Sequence, residues 1–480
     1  MSVALQPQPH PGPRPAAAAE WLACLGALLL LVGALAVAGH VLKAGPLRYG
    51  PFYVDAFSAL ILSVTTFIGL AALLYSVGYI RYEVAAAHVT TGEGTVYYLW
   101  FFLFLLTMVV AVVVENVGFL WVAVEATTLA SAVLVGFYNR KTAIEAAWKY
   151  VILCSAGIAF ALLGIILVYF DAVHAGLSPE DALNWSHLLA AAPRLDPGVL
   201  RLGYVLVLAG FGTKAGLAPL HFWRPDAYSQ APSPVSAVLS SALLNTALYA
   251  VLRFHAVAVQ ALGAFPGQLL LGFGLVSLAF AVPFMLAQKD FKRLLAYSSV
   301  EHVGLIAVGA GIGGPLGLFG AVLHMVGHSL VKSLLFLCAG NLGQRYHSYR
   351  LERIRGSVRT LPFTGPLLVI GVLAITGMPP FNLFLSEFTI LVAGFKAGHY
   401  WAMAVVLAAI SLAFAGMLLH LKEMALGEAP EHLPRGEAGA GSTLPLLLPL
   451  AFVLLLGVWV PPLLGGAITQ VTSLLGGVPQ

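Results

Sequence analysis

Three titratable side chains recur every four residues in one apolar stretch, LFGAVLHMVGHSLVKSLLFLCAGN (Leu318–Asn341). They are His324, His328 and Lys332, and on a helix they lie along one stripe, one turn after another. A charged lysine near the centre of a membrane span costs roughly 2.5–3.5 kcal/mol unless it faces protein, water or a partner charge. The spacing therefore predicts a proton relay along this helix. The alternative is a packed helix whose polar groups make interhelical hydrogen bonds.

An isolated carboxylate lies in a second apolar stretch, FLWVAVEATTLASAVLVGFY, where no other charge lies within nine residues of Glu125. Such a carboxylate must be protonated or find a partner on another helix. Lys214 is the natural partner. Because an ion pair keeps both groups charged and separation favours their neutral forms, a movable pair can pass a proton. The alternative is a fixed structural salt bridge.

Two segments combine glycine and proline with a charge inside an apolar surrounding. They are GFGTKAGLAPLHFWRPDAYSQAPSPV (210–235), which contains Lys214, and ITGMPPFNLFLSEF (375–388), which contains Glu387. The two lie five apolar segments apart, and an odd offset places equivalent segments in opposite orientations. This pattern is typical of inverted repeats with discontinuous helices at the functional site. The alternative is two unrelated proline kinks.

Glu387 lies just after the second interruption, and we expect it to control the far end of the relay. The predicted order across the membrane midplane is Glu125, Lys214, His324, His328, Lys332 and Glu387. Glu115 lies at the junction of two spans. It is either a group through which protons enter or leave, or an interfacial residue. Glu301 and His302 follow FKRLLAYSSV. They are either a second group through which protons enter or leave, or a polar cluster at a helix end.

The composition is that of a polytopic, all-α membrane protein. Of 480 residues, 60% are hydrophobic and only 9% are charged, against about 25% charged in a soluble domain. The net charge of +4 does not indicate nucleic acid binding, because the basic residues lie mostly between apolar spans. The three cysteines lie singly in apolar runs, which argues against a cysteine-ligated iron–sulfur cluster or zinc site. His221 alone is weak evidence for a metal, so we expect no metal site and no catalytic centre.

The apolar runs predict about 13–14 transmembrane helices, depending on whether the second interrupted segment counts once or twice. The predicted division is a disordered tail (1–19), N-terminal helices (20–95), a first repeat (96–260), a second repeat (261–398) and C-terminal helices (399–480). Lysine and arginine concentrate in the loops after the second, fourth, eighth and tenth spans. These loops and the N-terminus are therefore predicted to be cytoplasmic, in a protein of the cell inner (plasma) membrane.

Four motifs together resemble a known family. GTKAGLAPLHFWRPDAYSQAPSPVSA, KRLLAYSSVEHVG, HSLVKSLLFLCAGN and TGMPPFNLFLSEF occur in the order found in the antiporter-like proton-pumping subunits of complex I and its relatives. The resemblance covers residues from about 50 to about 420. EAAWKYVILCSAGIAFALLG and YSSVEHVG are most similar to the F component of the hydrogenase-4 and formate hydrogenlyase group.

The resemblance implies a fourteen-helix architecture, with two inverted five-helix repeats and a proton path along the midplane. By motif, the family's glutamate falls on Glu125, its broken-helix lysine on Lys214, its central lysine on Lys332 and its terminal lysine or glutamate on Glu387. His328 matches a histidine that is common in that motif. We expect the chain to hold no cofactor of its own. The resemblance implies that iron–sulfur clusters, nickel–iron or flavin, and quinone belong to partner subunits.

Two departures from the family pattern weaken the middle of the relay. The helix after the first interruption offers only Ser240, Ser241 and Asn245 before Arg253, where many relatives have a lysine or histidine. Bridging waters on these side chains would have to close the gap. Tyr228 replaces a histidine of the related motif, and its hydroxyl does not titrate at neutral pH.

The expected function is proton translocation by a subunit of a redox complex of hydrogenase-4 or NADH–quinone oxidoreductase type. Its expected partners are other membrane-arm subunits, soluble redox subunits, lipid, and H⁺ or Na⁺. The alternatives are a cation/proton antiporter subunit without redox coupling, the membrane subunit of an inorganic-carbon uptake system with a soluble zinc protein, and a membrane anchor whose charges only hold an assembly together.

Overall fold

The protein is built almost entirely from helices. The structure, a computed structural model, describes residues 17–437 and 439–476. A short antiparallel hairpin, β1 (Leu47–Tyr49) and β2 (Phe52–Val54), follows the first helix. Most of the predicted disordered tail, residues 1–16, lies outside the described part of the chain, and the first helix begins at Ala17.

The first ten helices are α1 (Ala17–Ala44), α2 (Ala56–Ala85), α3 (Thr91–Val113), α4 (Val117–Val135), α5 (Lys141–His174), α6 (Trp185–Ala191), α7 (Pro197–Ala215), α8 (Trp223–Gln230), α9 (Ser233–Val238) and α10 (Leu244–Leu262). The next ten are α11 (Phe265–Leu286), α12 (Phe291–Ile312), α13 (Gly314–Tyr346), α14 (Ser357–Thr360), α15 (Thr364–Ile375), α16 (Asn382–Lys396), α17 (Tyr400–Leu426), α18 (Ala440–Thr443), α19 (Leu447–Val458) and α20 (Pro462–Leu474). A π-helical turn, Leu239–Leu243, joins α9 to α10 in one span.

Among the described residues, 12 helices are long and apolar enough to cross a membrane. The shorter helices α15 and α16 flank the second interruption, so the prediction of about 13–14 helices agrees with the structure. A spanning segment must satisfy its backbone polar groups internally, which is why these apolar runs form helices. The most apolar 18-residue window of α13 is 100% buried and that of α1 is 22% buried. Helix α13 therefore lies at the centre of the bundle and α1 at its lipid-facing edge.

Both predicted interruptions are present. Helix α7 ends at Ala215, and the next residue, Gly216, adopts a left-handed conformation (φ 70°). Helix α8 begins at Trp223. Helix α15 ends at Ile375, Gly377 has φ 65°, and α16 begins at Asn382. A side chain with a Cβ is strained at such positive φ values, so glycine permits both breaks.

The two breaks occupy corresponding places in two sets of five spans. The first set is α3, α4, α5, α7 with α8, and α10, and the second is α11, α12, α13, α15 with α16, and α17. Helix α4 packs on α5 as α12 packs on α13, and α8 packs on α5 as α16 packs on α13. Glu125 on α4 and Glu301 on α12 therefore lie on corresponding helices. The finer domain boundaries stay a prediction.

Candidate functional site

The first cluster of polar groups joins α4, α5 and the end of α7, with Glu125 half-buried and Lys214 buried. Glu125 accepts hydrogen bonds from Ser155 Oγ (2.5 Å) and Thr128 Oγ1 (3.1 Å). Lys214 Nζ donates to Thr128 Oγ1 and to Tyr150 OH, both at 2.7 Å. The predicted partners Glu125 and Lys214 thus lie in one cluster, joined through the Thr128 hydroxyl rather than by a direct contact.

Aromatic and hydroxyl groups hold the lysine of this cluster in place. Lys214 is 1% exposed, and its ammonium lies 4.8 Å from the centroid of the Tyr150 ring. The Tyr150 hydroxyl also contacts Ser131 Oγ (2.8 Å), and its ring packs on Trp223 of α8. The break after α7 thus places the lysine at the end of a helix, where neutral oxygens from two other helices surround it. A buried ammonium with only neutral acceptors is costly and responds to any nearby change in charge.

The second cluster lies where α12, α13 and α16 meet. Glu301 and His302 belong to it, although the sequence placed them at a helix end or at a point where protons enter or leave. Helix α12 begins at Phe291, so the two residues lie near its middle, and they are only 4% and 1% exposed. The His302 ring lies 5.0 Å from that of His324 and 5.1 Å from that of His328, between ring centroids.

A line of hydrogen bonds fixes the orientation of this histidine pair. Ser386 Oγ donates to the Leu383 carbonyl and lies 2.9 Å from His324 Nδ1. With that serine proton on the carbonyl, His324 Nδ1–H would donate to Ser386 Oγ, and His324 Nε2 would have a free lone pair. His302 Nδ1 lies 2.9 Å from His324 Nε2 and in this tautomer donates to it. His302 Nε2 has no hydrogen-bond partner among the described residues.

The stripe predicted on α13 is present and fully buried. His324, His328 and Lys332 are all 0% exposed. Lys332 Nζ donates to the Leu295 carbonyl (2.7 Å), and Glu301 lies close enough for its charge to act on the ammonium. Neither ring nitrogen of His328 has a hydrogen-bond partner within the described part of the chain.

Glu387 lies beside His302 and His324 at the edge of the second cluster, and its role at the end of the relay stays a prediction. It is 6% exposed and lies against the backbone of Gly377, where a Cβ would overlap its carboxylate. It also lines a cavity of about 320 Å³. The rest of the lining is Thr376, Gly377, Phe384, Phe388, Leu391, Leu407, Ile410, Ser411 and Phe414. The cluster therefore opens toward α17 at this carboxylate.

The second cluster also contains a group of residues that could hold a metal ion, while the expectation of no metal site stays a prediction. One ligand atom each from His302, His324 and Glu387 lies within 4.8 Å of the other two. These residues come from three helices, 22 and 63 positions apart in sequence, so no local motif pointed to them. Two nitrogens and one carboxylate oxygen form a ligand set that transition metals favour.

Arg224 on α8 lies between the two clusters, and it was missed at the sequence level. It is 0% exposed, donates to the Ala215 carbonyl, and has no described partner for its Nε and Nη1 groups. The rings of Trp223 and Tyr228 each lie 5.7 Å from its guanidinium carbon. Its charge acts on His328 and Lys332. The position of this arginine inside the interrupted segment 210–235 is the sequence signal that could have identified it as a functional residue.

The helix after the first break has no charged residue before Arg253. Its polar side chains only partly fill the predicted gap between Lys214 and the histidines of α13. Ser240 and Ser241 lie in the π-helical turn and donate to the Ala237 carbonyl of their own helix. Asn245 Nδ2, in contrast, donates to Ser329 Oγ (2.8 Å), next to His328 in the sequence of α13. A π-helical turn often marks a functional site. The predicted water bridge across this gap stays a prediction.

Glu115 and Asp55 are among the buried acids that lie apart from both clusters. Glu115 pairs with Arg48 (2.7 Å) and accepts from Ser186 Oγ. Asp55 caps α2 and forms two hydrogen bonds, of 2.6 and 2.7 Å, with Arg253. The second pair is almost fully buried and joins residues 198 positions apart, which no sequence pattern indicated.

Two family descriptions match the chain. The family described as "NADH:quinone oxidoreductase/Mrp antiporter, TM" matches residues 114–412, and "NADH-Ubiquinone oxidoreductase (complex I), chain 5 N-terminus" matches residues 50–86. The first match includes all of the predicted relay residues. The chain belongs to this family of antiporter-like membrane subunits.

Among individual relatives, the hydrogenase-4 component F homolog of Methylacidiphilum infernorum is 37% identical over 455 residues, covering 92% of each chain. A subunit of an archaeal respiratory membrane complex, the membrane-bound sulfane sulfur reductase, superposes with a TM-score of 0.84 at 28% identity. That match covers 95% of this chain and 92% of the other. A chain of the Mrp complex from Dietzia sp. also has a TM-score of 0.84, over 96% and 94% of the two chains, and its 22% identity shows the fold alone.

Proposed function

We propose that this chain translocates protons as an integral subunit of a multisubunit redox complex of the hydrogenase-4 or NADH–quinone oxidoreductase type. The observation that carries the proposal is the pair of ionisable clusters inside the helix bundle, in which Glu125 is half-buried and the other members are buried. Glu125 and Lys214 form the first, and Glu301, the three histidines, Lys332 and Glu387 form the second. Charged groups inside membrane spans are costly, so their concentration in two clusters favours a transport path.

In the first cluster, the step is a change of hydrogen-bond partner. Lys214 donates to Thr128, which donates to Glu125, so one hydroxyl transmits a change of charge at either end. A proton that arrives on Glu125 removes the negative charge that favours the ammonium. Lys214 then loses a proton toward the centre of the protein.

In the second cluster, the histidine pair has an open acceptor at one end. A proton that binds His302 Nε2 leaves that ring with two N–H groups, and the Nδ1 proton passes to His324 Nε2 over 2.9 Å. The next acceptor is the Glu387 carboxylate, which borders the cavity. Glu387 is thus the group through which the proton leaves the cluster.

Electron transfer takes place in partner subunits under this proposal. Iron–sulfur clusters, nickel–iron or flavin, and quinone belong to those partners, and a change of charge there biases the ion pairs of this chain between two states. The subunit lies in the cell inner membrane, with its N-terminus in the cytoplasm. The similarity to a hydrogenase-4 component F homolog supports the redox type over an independent antiporter.

Affinity purification from native membranes in mild detergent, followed by mass spectrometry, tests the class of complex. We expect hydrogenase-like or quinone-oxidoreductase subunits to accompany the chain. A set of small antiporter subunits without redox partners would contradict the proposal. A single large zinc protein would assign the same charged clusters to inorganic-carbon uptake.

A further inference from the structure

We propose that His302, His324 and Glu387 bind a transition-metal ion, with Zn²⁺ as the best fit, and that the ion blocks proton transfer. The inhibitory part rests on the proposed function, whereas the binding part does not. The three ligand atoms already lie within 4.8 Å of one another. Zinc favours two histidine nitrogens and a carboxylate, whereas magnesium and calcium favour oxygen ligands alone.

The spacing of the two imidazoles suits a tetrahedral ion. His302 Nδ1 and His324 Nε2 lie 2.9 Å apart. In a tetrahedral zinc site with bonds of about 2.0 Å, two ligand nitrogens lie roughly 3.3 Å apart. The two nitrogens are therefore close enough to share one ion once the rings turn their lone pairs toward it.

The residues around the histidine pair resemble those that support metal ligands. The distal nitrogen of His324 donates to Ser386 Oγ, whose proton is held by the Leu383 carbonyl. This arrangement directs the His324 Nε2 lone pair toward the proposed ion. Such a contact behind a ligating histidine fixes its tautomer and strengthens its bond to the metal.

The cavity beside Glu387 supplies space for the remaining ligand. Its volume of about 320 Å³ is large enough for ordered water next to the carboxylate. Three protein ligands and one water complete a four-coordinate zinc site. Glu301 lies near Glu387 and Lys332, where its carboxylate offsets the positive charge of the Lys332 ammonium.

Binding would stop the histidine step directly. The ion takes the lone pair of His324 Nε2 and the position of the proton on His302 Nδ1, and that proton moves to His302 Nε2, so both imidazoles bind the ion in their neutral form. Zn²⁺ also occupies the Glu387 carboxylate. None of the three groups can then accept or release a proton, which makes zinc an inhibitor of the path.

Metal binding by the purified complex, prepared without a polyhistidine tag, tests the site. Equilibrium dialysis with Zn²⁺ and the visible spectrum of bound Co²⁺ report binding without any electron donor. We expect His324→Gln and Glu387→Gln each to lose one metal equivalent, and Ser386→Ala to bind roughly 10–100-fold more weakly. His255→Gln, which alters a buried histidine bonded to Tyr204, is the matched control and should bind as wild type.

The outcomes separate this inference from the proposed function. Unchanged metal content in His324→Gln and Glu387→Gln would overturn the site. If those two variants fail to assemble, wild-type affinity for Zn²⁺ in Ser386→Ala would overturn it instead. Zinc binding at these residues by a complex that pumps no protons would support the site while the proposed function fails. Pumping that continues with the metal equivalent bound would overturn the inhibitory role.

Discussion

Lys214 reaches Glu125 only through the hydroxyl of Thr128. The ammonium lies 2.7 Å from Thr128 Oγ1, and that oxygen lies 3.1 Å from the carboxylate. A direct salt bridge would hold both charges firmly, whereas a shared hydroxyl lets either group change its state with little movement. The position of Thr128 therefore favours a transmitting role for this cluster over a static structural pair.

Replacing Thr128 with valine tests this relationship, because valine keeps the shape and removes the hydroxyl. A hydrogen bond to a charged group contributes about 1.5–3 kcal/mol, so we expect proton pumping to slow by tenfold or more. Thr128→Ser should retain most activity. Thr127→Val is the matched control, since the Thr127 hydroxyl bonds only to the Val124 carbonyl of its own helix. Equal rates for Thr128→Val and Thr127→Val would contradict the role of this hydroxyl.

The histidine pair yields a second prediction. His302→Gln removes the open acceptor and cannot pass a proton between two ring nitrogens, so we expect electron transfer to continue while proton pumping falls strongly. The ratio of protons moved to electrons transferred, measured in liposomes, checks this expectation. His255→Gln serves as the control, because His255 is equally buried but lies against Tyr204. A normal ratio in His302→Gln would remove this residue from the path.

Gly377 should be needed for the placement of Glu387. It has φ 65°, and a Cβ there would overlap the Glu387 carboxylate. Gly377→Ala should therefore displace that side chain and lower pumping, in addition to a strain cost of about 1–2 kcal/mol. Gly398→Ala is matched in strain, with φ 79°, but has open space around its Cβ. If the two alanine variants lose pumping equally, Gly377 has no special relation to the carboxylate.

The Asp55–Arg253 pair should be structural. Arg253 is 2% exposed and Asp55 is 1% exposed, and removal of one member of a buried ion pair costs about 3–5 kcal/mol. We expect Arg253→Met to lower the melting temperature of the purified protein and its amount in membranes. The double variant Asp55→Asn with Arg253→Met should recover much of the loss, because no unpaired charge remains. A double variant no more stable than the single one would mean that the stability lies in other contacts of Arg253.

The helical class, the two breaks and the buried stripe on α13 could be predicted, because apolar length, glycine–proline pairs and four-residue spacing are local signals. Thr128 could not be predicted, since a hydroxyl in an apolar helix looks the same whether it bonds to its own backbone or to a lysine. Glu301 and His302 were misplaced because α12 begins earlier than its apolar run, at the Asp290 cap. Contacts such as Asp55 with Arg253 depend on tertiary packing alone.

Proton movement by the wild-type complex and by Glu125→Gln, reconstituted in liposomes with a pH-sensitive dye, tests the central claim most directly. We predict that wild type changes the internal pH only when its electron donor is supplied. Glu125→Gln should assemble and transfer electrons without changing the pH. Pumping by Glu125→Gln at the wild-type rate, or proton movement by wild type without any donor, would contradict the account.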